Sequence, residues 1–129
     1  MPKPTRDRAF VPQGWPTVIP RIVVAGANDL VEFITRVFDA SAEANEGGPT
    51  VVWLAECAIL VGEAGIRPPM PAFLYVYVAD VDTTYRRAVD AGGRVIEEPM
   101  KVAYGDRRAM VEDPWHNTWQ IATARHRVA

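Results

Sequence analysis

Phe73-Leu74-Tyr75-Val76-Tyr77-Val78-Ala79-Asp80-Val81 decides how this chain folds, because its first six residues alternate strictly. Side chains along a strand point to opposite faces in turn, so Leu74, Val76 and Val78 share one face and Phe73, Tyr75 and Tyr77 the other. The aliphatic face suits an apolar helix stripe. The aromatic face then looks into whatever the sheet curves around. Asp80 reads as the cap of the next helix, whose stripe is Val81, Tyr85, Ala88 and Val89. Ala91-Gly92-Gly93 stops it, as glycine past a helix end does. Strands follow at 94–98, closed by Pro99, at 107–112 and at 118–123. The turn Asp113-Pro114-Trp115-His116-Asn117 joins the last two.

Upstream lies Arg67-Pro68-Pro69-Met70-Pro71, in which the three prolines carry no amide proton, so it reads as a linker. Before it the same order of elements has already occurred once. Residues 17–24 read as a strand, and the turn Ala25-Gly26-Ala27-Asn28 follows. Asp29 and Glu32 fit a capping pair, and Leu30, Phe33, Ile34, Val37 and Ser41 form a helical stripe. Short strands are expected at 42–46, 50–55 and 58–61. The chain is therefore expected to be one α+β domain of two tandem βαβββ modules, 14–66 and 72–124. A flexible arm (1–13) precedes them, the proline-rich linker (67–71) joins them and a tail (125–129) ends the chain. In the first strand Thr17, Ile19, Arg21 and Val23 share a face. An arginine on an inner sheet face is costly unless a carboxylate, a phosphate, a ligand or solvent meets it.

Composition narrows the function classes. A chain of 129 residues with 49% hydrophobic and 23% charged residues is an ordinary globular domain that needs no metal or disulfide to fold. Fourteen basic against sixteen acidic residues argue against a nucleic-acid groove. No apolar run suggests a membrane span, and the polar N-terminus lacks a signal core, so a cytoplasmic location is expected. Cys57, the only cysteine, is flanked by strand-like sequence and reads as a small core thiol.

Two stretches carry a family resemblance. Pro20-Arg21-Ile22-Val23-Val24-x-Gly26-Ala27-x-x-x-Val31-Glu32-Phe33 is similar to the opening of glyoxalase-like proteins. Tyr104-Gly105-Asp106-Arg107-Arg108-x-x-Val111-x-Asp113-Pro114-Trp115-x-Asn117-Thr118-Trp119-Gln120-Ile121-Ala122-Thr123 resembles their C-terminal signature. With Val78-x-Asp80-Val81-Asp82 and Ala91-Gly92-Gly93, the chain resembles the vicinal oxygen chelate superfamily (glyoxalase, bleomycin resistance protein, dioxygenase), and within it the PhnB-like branch. The resemblance implies a curved mixed sheet around a cup-shaped cavity, and a homodimer in which modules can be exchanged between chains.

In enzymatic relatives the resemblance implies metal ligands on the first and last strands of each module. Carried over by spacing, those places fall on Ile19, near Glu63, on Phe73 and on Gln120. Ile19 and Phe73 have no lone pair to give, whereas a catalytic metal site needs about three N, O or S ligands. The expectation is therefore no metal and no cofactor. The aromatic cup suggests ligand contacts from Ile19, Arg21, Phe73, Tyr75, Tyr77 and Gln120. The Tyr104-Gly105-Asp106-Arg107 loop reads either as a polar rim (Tyr104, Asp106, Arg107) or as a bulge with a surface Asp106–Arg107 pair. Glu63, Tyr75 and His116 are the candidate proton carriers. His116 has a second account, that of a turn residue standing where relatives have glycine.

Three functions follow in order. The first is a metal-independent binder of a hydrophobic or aromatic metabolite or antibiotic, in the manner of bleomycin-resistance proteins. The second is a metal-independent isomerase, lyase or cyclase acting on a small anionic metabolite held by Arg21. The third is a metal-dependent glyoxalase- or dioxygenase-like enzyme. The expected partners are a small molecule and a second copy of the chain, without nucleic acid or membrane. Light scattering at tens of micromolar protein should give twice the chain mass; a clean 14.3 kDa species refutes the dimer.

Overall fold

The computed structural model describes residues 8–124. Ten elements run in the order β1 (Arg21–Val24), α1 (Ala27–Phe38), β2 (Ser41–Glu43), β3 (Thr50–Leu54), β4 (Cys57–Glu63), β5 (Phe73–Tyr77), α2 (Val81–Asp90), β6 (Arg94–Lys101), β7 (Arg107–Glu112) and β8 (Thr118–Thr123). They form two mixed four-stranded sheets, β1-β4-β3-β2 and β5-β8-β7-β6, each with one parallel pair and its own helix. The fold is α+β with the βαβββ order repeated, and the two sheets are not closed on each other. A single bridge from Val23 to Met70, with Met70 N–H donating to the Val23 carbonyl at 2.8 Å, ties the β1 edge to the segment that leads into β5. No helix among the described residues is long and apolar enough to cross a membrane.

One core serves both units. Helix α1 buries Ala27, Leu30, Phe33, Ile34 and Val37, the stripe its spacing predicts, with exposed Ser41 already in β2. Ile22 and Val24 of β1, Val52 of β3, and Ile59 and Val61 of β4 complete the first half. Trp119, Ile121, Ala109 and Val111 build the second half beneath Val81 and Ala88 of α2. Aromatic contacts cross the seam: Phe38 lies 5.0 Å from Trp119, and Phe33 meets Trp115 edge-on at 6.1 Å.

Several local expectations change. The first strand begins at Arg21, four residues later than the pattern implies, although the Pro20 carbonyl still accepts from Leu60 N–H. Pro99 does not end β6. The strand runs to Lys101 on the outer edge of the sheet and shifts register between Glu97 and Met100, which spares the ladder a missing donor. Cys57 is exposed at the start of β4 rather than in the core, because it borders the tight Ala55-Glu56 turn.

The two helices are capped differently. Asp80 caps α2 as expected, accepting from Asp82 N–H at 3.1 Å and Thr83 N–H at 3.4 Å. Asp29 does not cap α1. The helix opens at Gly26, in the left-handed region at φ 94°, with no side-chain cap of its own. A β-carbon there would also come within 3.1 Å of the Trp115 indole nitrogen, so glycine answers two constraints at once. The amides of Gly26 and Ala27 instead donate to Glu63 at the end of β4, both at 2.9 Å. Those two bonds hold the Glu63 carboxyl below its ordinary range.

A depressed folded-state pKa contributes stability that is fully present above the unfolded value, about 4.3, and is lost as pH falls through the folded one. Glu63→Gln should therefore lower the melting temperature near neutral pH. Its deficit relative to the wild type should shrink steadily as the pH drops below about 4.3; a deficit unchanged by pH contradicts the charged cap.

Candidate functional site

The β5 alternation is realised in the structure. Leu74 and Val76 pack on the core, and Phe73, Tyr75 and Tyr77 share the opposite face. Phe73 and Tyr77 remain 67% and 57% exposed, a large aromatic area for one strand to leave open. Strand register extends that face sideways. Tyr75 stands beside Gln120 and then Met110, Phe73 beside Thr118 and Glu112, and Tyr77 beside Ala122 and Arg108.

The polar end of this face is built around one buried acid. Asp106, fully buried before β7, accepts from the Tyr77 hydroxyl at 2.7 Å and the Tyr75 hydroxyl at 2.8 Å. β5 and β7 lie on either side of β8, so the tyrosines must reach across it. Ala122, the small residue in that row, leaves room for Tyr77 to do so. The Tyr75 hydroxyl also meets that of Tyr104 at 2.9 Å, and Arg108 donates to Tyr104 at 3.1 Å and to Glu97 at 3.2 Å. The two rings on β5 sit edge to face at 5.3 Å. Burial, followed by the bonds to Tyr104 and Asp106 and the Asp106 charge, pushes the Tyr75 phenol well above its ordinary pKa. It stays a neutral hydroxyl at physiological pH, with its one proton given to Asp106.

The same face of the first sheet is partly covered. Trp15 lies edge-on over Trp53 at 5.2 Å within its own chain, and the Trp53 indole N–H is buried without a partner among the described residues. Arg21 stands beside Leu60 and Val51. Its guanidinium reaches over Gly62, where the nearer nitrogen is 3.8 Å from the position a β-carbon would take. Arg21 is exposed and makes no ion pair or hydrogen bond with any described residue.

The structure thus gathers Phe73, Tyr75, Tyr77, Tyr104, Asp106 and Gln120, leaves Arg21 and partly buried Ile19 on the other unit, and sends three candidates elsewhere. Glu63 pairs in register with core-facing Val24, so it points to the helix side and is occupied by α1. Arg107 shares a face with Ala109 and Val111, turns toward α2 and grips Asp82 at 2.8 and 2.9 Å. The surface Asp106–Arg107 pair is not made, because neighbours on a strand face opposite ways. His116 adopts φ 73°, the left-handed turn conformation, with its Nδ1 3.6 Å from Glu112, which also binds Arg94. His126 lies outside the described residues. Arg108 and Glu97 are contributors that residue-type reasoning passed over. The signal was present, since Ala109 and Val111 claim the core face and leave Arg108 and Met110 to the other.

Comparison with known proteins agrees with this architecture. The sequence profile described as the Glyoxalase/Bleomycin resistance protein/Dioxygenase superfamily matches residues 20–121. The chain belongs to this superfamily. An uncharacterized Mycobacterium bovis protein, Mb0911c, is 26% identical over 124 residues, 82% of each chain. Among solved structures, hypothetical protein SA1046 of S. aureus superposes with a TM-score of 0.71 at 16% identity, covering 84% of this chain and 93% of its own. TioX from Micromonospora sp. ML1 gives 0.70 at 15% identity (82% and 96%). A family enzyme from Burkholderia phytofirmans PsJN gives 0.69 at 17% (82% and 96%). These structural likenesses establish the fold.

A superfamily metal does not fit the residues at the positions the resemblance implies. Ile19 and Phe73 are hydrocarbon, Glu63 faces the other side, and Gln120 is left as a lone amide. Among the described residues no three His, Cys, Asp or Glu side chains converge. The chemistry available to this face is aromatic stacking and the hydrogen bonds of the Gln120 amide, since the Tyr75 and Tyr77 protons are held by Asp106.

Removing the acid that organises the face should be costly, because two tyrosine hydroxyls lose their acceptor. Asp106→Ala is expected to lower unfolding stability by about 2 kcal/mol in denaturant titration, and Asp106→Asn by less. Equal stability of Asp106→Ala and wild type contradicts the assigned role.

Proposed function

We propose that this member of the superfamily is a metal-independent small-molecule-binding protein that takes a hydrophobic or aromatic metabolite or antibiotic on the β5 face. The observation that carries the reading is the open row of Phe73, Tyr75 and Tyr77, with two hydroxyls already held by buried Asp106. Rings fixed before a ligand arrives lose little freedom on binding, so more of the stacking energy appears as affinity. Gln120 and Met110 flank the row, one offering amide hydrogen bonds and the other a polarizable apolar contact. A homodimer that brings a second copy over this face would turn an open surface into an enclosed cup.

One observation favours a second reading, a metal-independent isomerase, lyase or cyclase acting on a small anionic metabolite. Arg21 is an exposed cation that pairs with no described residue, suited to hold an anion. The Tyr75 proton is held by Asp106 and Glu63 is committed to α1, so Gln120 would offer the neutral hydrogen bonds and His116 would be the remaining proton acceptor.

A thermal-shift screen of small molecules, run before and after dialysis against EDTA, separates these readings from metal catalysis. Hits should persist unchanged, and Phe73→Ala and Tyr75→Ala should each weaken them by roughly 1 kcal/mol or more. Hits that vanish with EDTA and return with a divalent metal overturn the metal-independent reading. Turnover of a hit, lost in Arg21→Ala, favours the enzyme over the binder.

A further inference from the structure

A concavity runs along β5, the free edge of its sheet, where Tyr75 and Tyr77 border it as well as Leu74 and Val76. A groove of about 790 Å³ runs between the two units, within the size range of small-molecule sites. Leu74 and Val76 of β5 form one wall with the inner side of α2; Phe38 and the hairpin from Leu54 to Ile59 form the other. The walls are mostly aliphatic, and two features of α2 give them polarity. Thr84 is only 6% exposed, and its hydroxyl has no hydrogen-bond partner among the described residues. Arg87, three residues on and therefore beside it on the helix, also lines the groove and makes no ion pair with a described residue. A hydroxyl that opens on the groove and an exposed guanidinium together suit one carboxylate.

The acids in the lining sharpen the choice. Asp80 is occupied by the α2 amides and the Thr83 hydroxyl. Asp39 and Glu56 lie on the opposite wall and disfavour a second anionic group there. We propose that this groove binds a monocarboxylate amphiphile, such as a fatty or aryl carboxylic acid. Its apolar body lies between the units and its carboxylate meets Arg87 and Thr84. Tyr75 and Tyr77 also border the groove, but the carboxylate contact rests on α2, so the proposal does not depend on the aromatic face being a binding site.

The single cysteine makes the groove directly testable, because exposed Cys57 lines it. Alkylation of Cys57 by N-ethylmaleimide would be timed with dodecanoate, dodecanol or dodecylamine, each kept below its micelle concentration. Dodecanoate should slow the reaction at a concentration about tenfold lower than dodecanol, the ratio expected of one charge-assisted contact, and dodecylamine should be the weakest. Arg87→Gln should erase the advantage of the acid while leaving hits at the aromatic face and the melting temperature as in wild type. Thr84→Val should reduce that advantage, and serves in its place if the arginine variant folds poorly. Equal protection by acid and alcohol, or no protection by any of them, overturns the proposal. So does Cys57 reactivity that falls with protein concentration in the absence of amphiphile, which would assign the groove to a second copy of the chain.

Discussion

The buried carboxylate of Asp113 is the constraint on which the second half of the fold depends. It accepts from the backbone amides of Trp115 and Asn117, the Asn117 side-chain amide and the Trp119 indole, all at 2.8 to 2.9 Å. Four donors around one acid close the turn between β7 and β8 and point Trp119 into the core. Asn117, buried in turn, passes the constraint on by accepting from Ala72 N–H at the entrance to β5. The strand that carries the aromatic row is thereby registered against β8. Because Trp119 also meets Phe38, the same carboxylate stabilises the contact between the two units.

β7 is bracketed by two buried acids with opposite duties. Asp113 at its end looks to the core, and Asp106 at its start holds the tyrosines of the open face. Each would be costly alone; each is accommodated because donors surround it. The arrangement makes the tyrosine face a fixed platform rather than a set of mobile side chains. Stability and the order of that face are coupled, since what weakens Asp106 also loosens the rings.

In this chain the superfamily scaffold has kept its geometry while the polar groups serve other ends. Glu63, at the position where the resemblance implies a metal ligand, completes a helix that begins at a glycine and lacks a cap of its own. Arg107, beside the rim, anchors β7 to the N-terminal turn of α2 through Asp82. A shared fold therefore does not carry a shared chemistry with it; the chemistry follows from which carboxylates remain uncommitted and which way they face.

What the sequence by itself determined was whatever depends on periodicity and on local chain chemistry. The alternation from Phe73 to Val78, the stripe of α1, the Asp80 cap and the repeated order of elements could all be read from neighbours along the chain, because a strand repeats every two residues and a helix every 3.6 or so. The motif at Asp113-Pro114-Trp115-x-Asn117 was legible as a signature but not as a four-donor hub. Only the tertiary structure decided the partners. Asp106 turned from its neighbour Arg107 to two tyrosines about thirty residues away, Glu63 went to α1, Cys57 came to the surface and Trp15 settled on Trp53. These choices join residues far apart in sequence, and each turns on which side of a strand a residue occupies and how far a side chain reaches across the next strand. A one-residue difference in strand limits, such as β4 starting at Cys57, is enough to change such an outcome, and pairing across the sheet rather than propensity along the chain sets those limits.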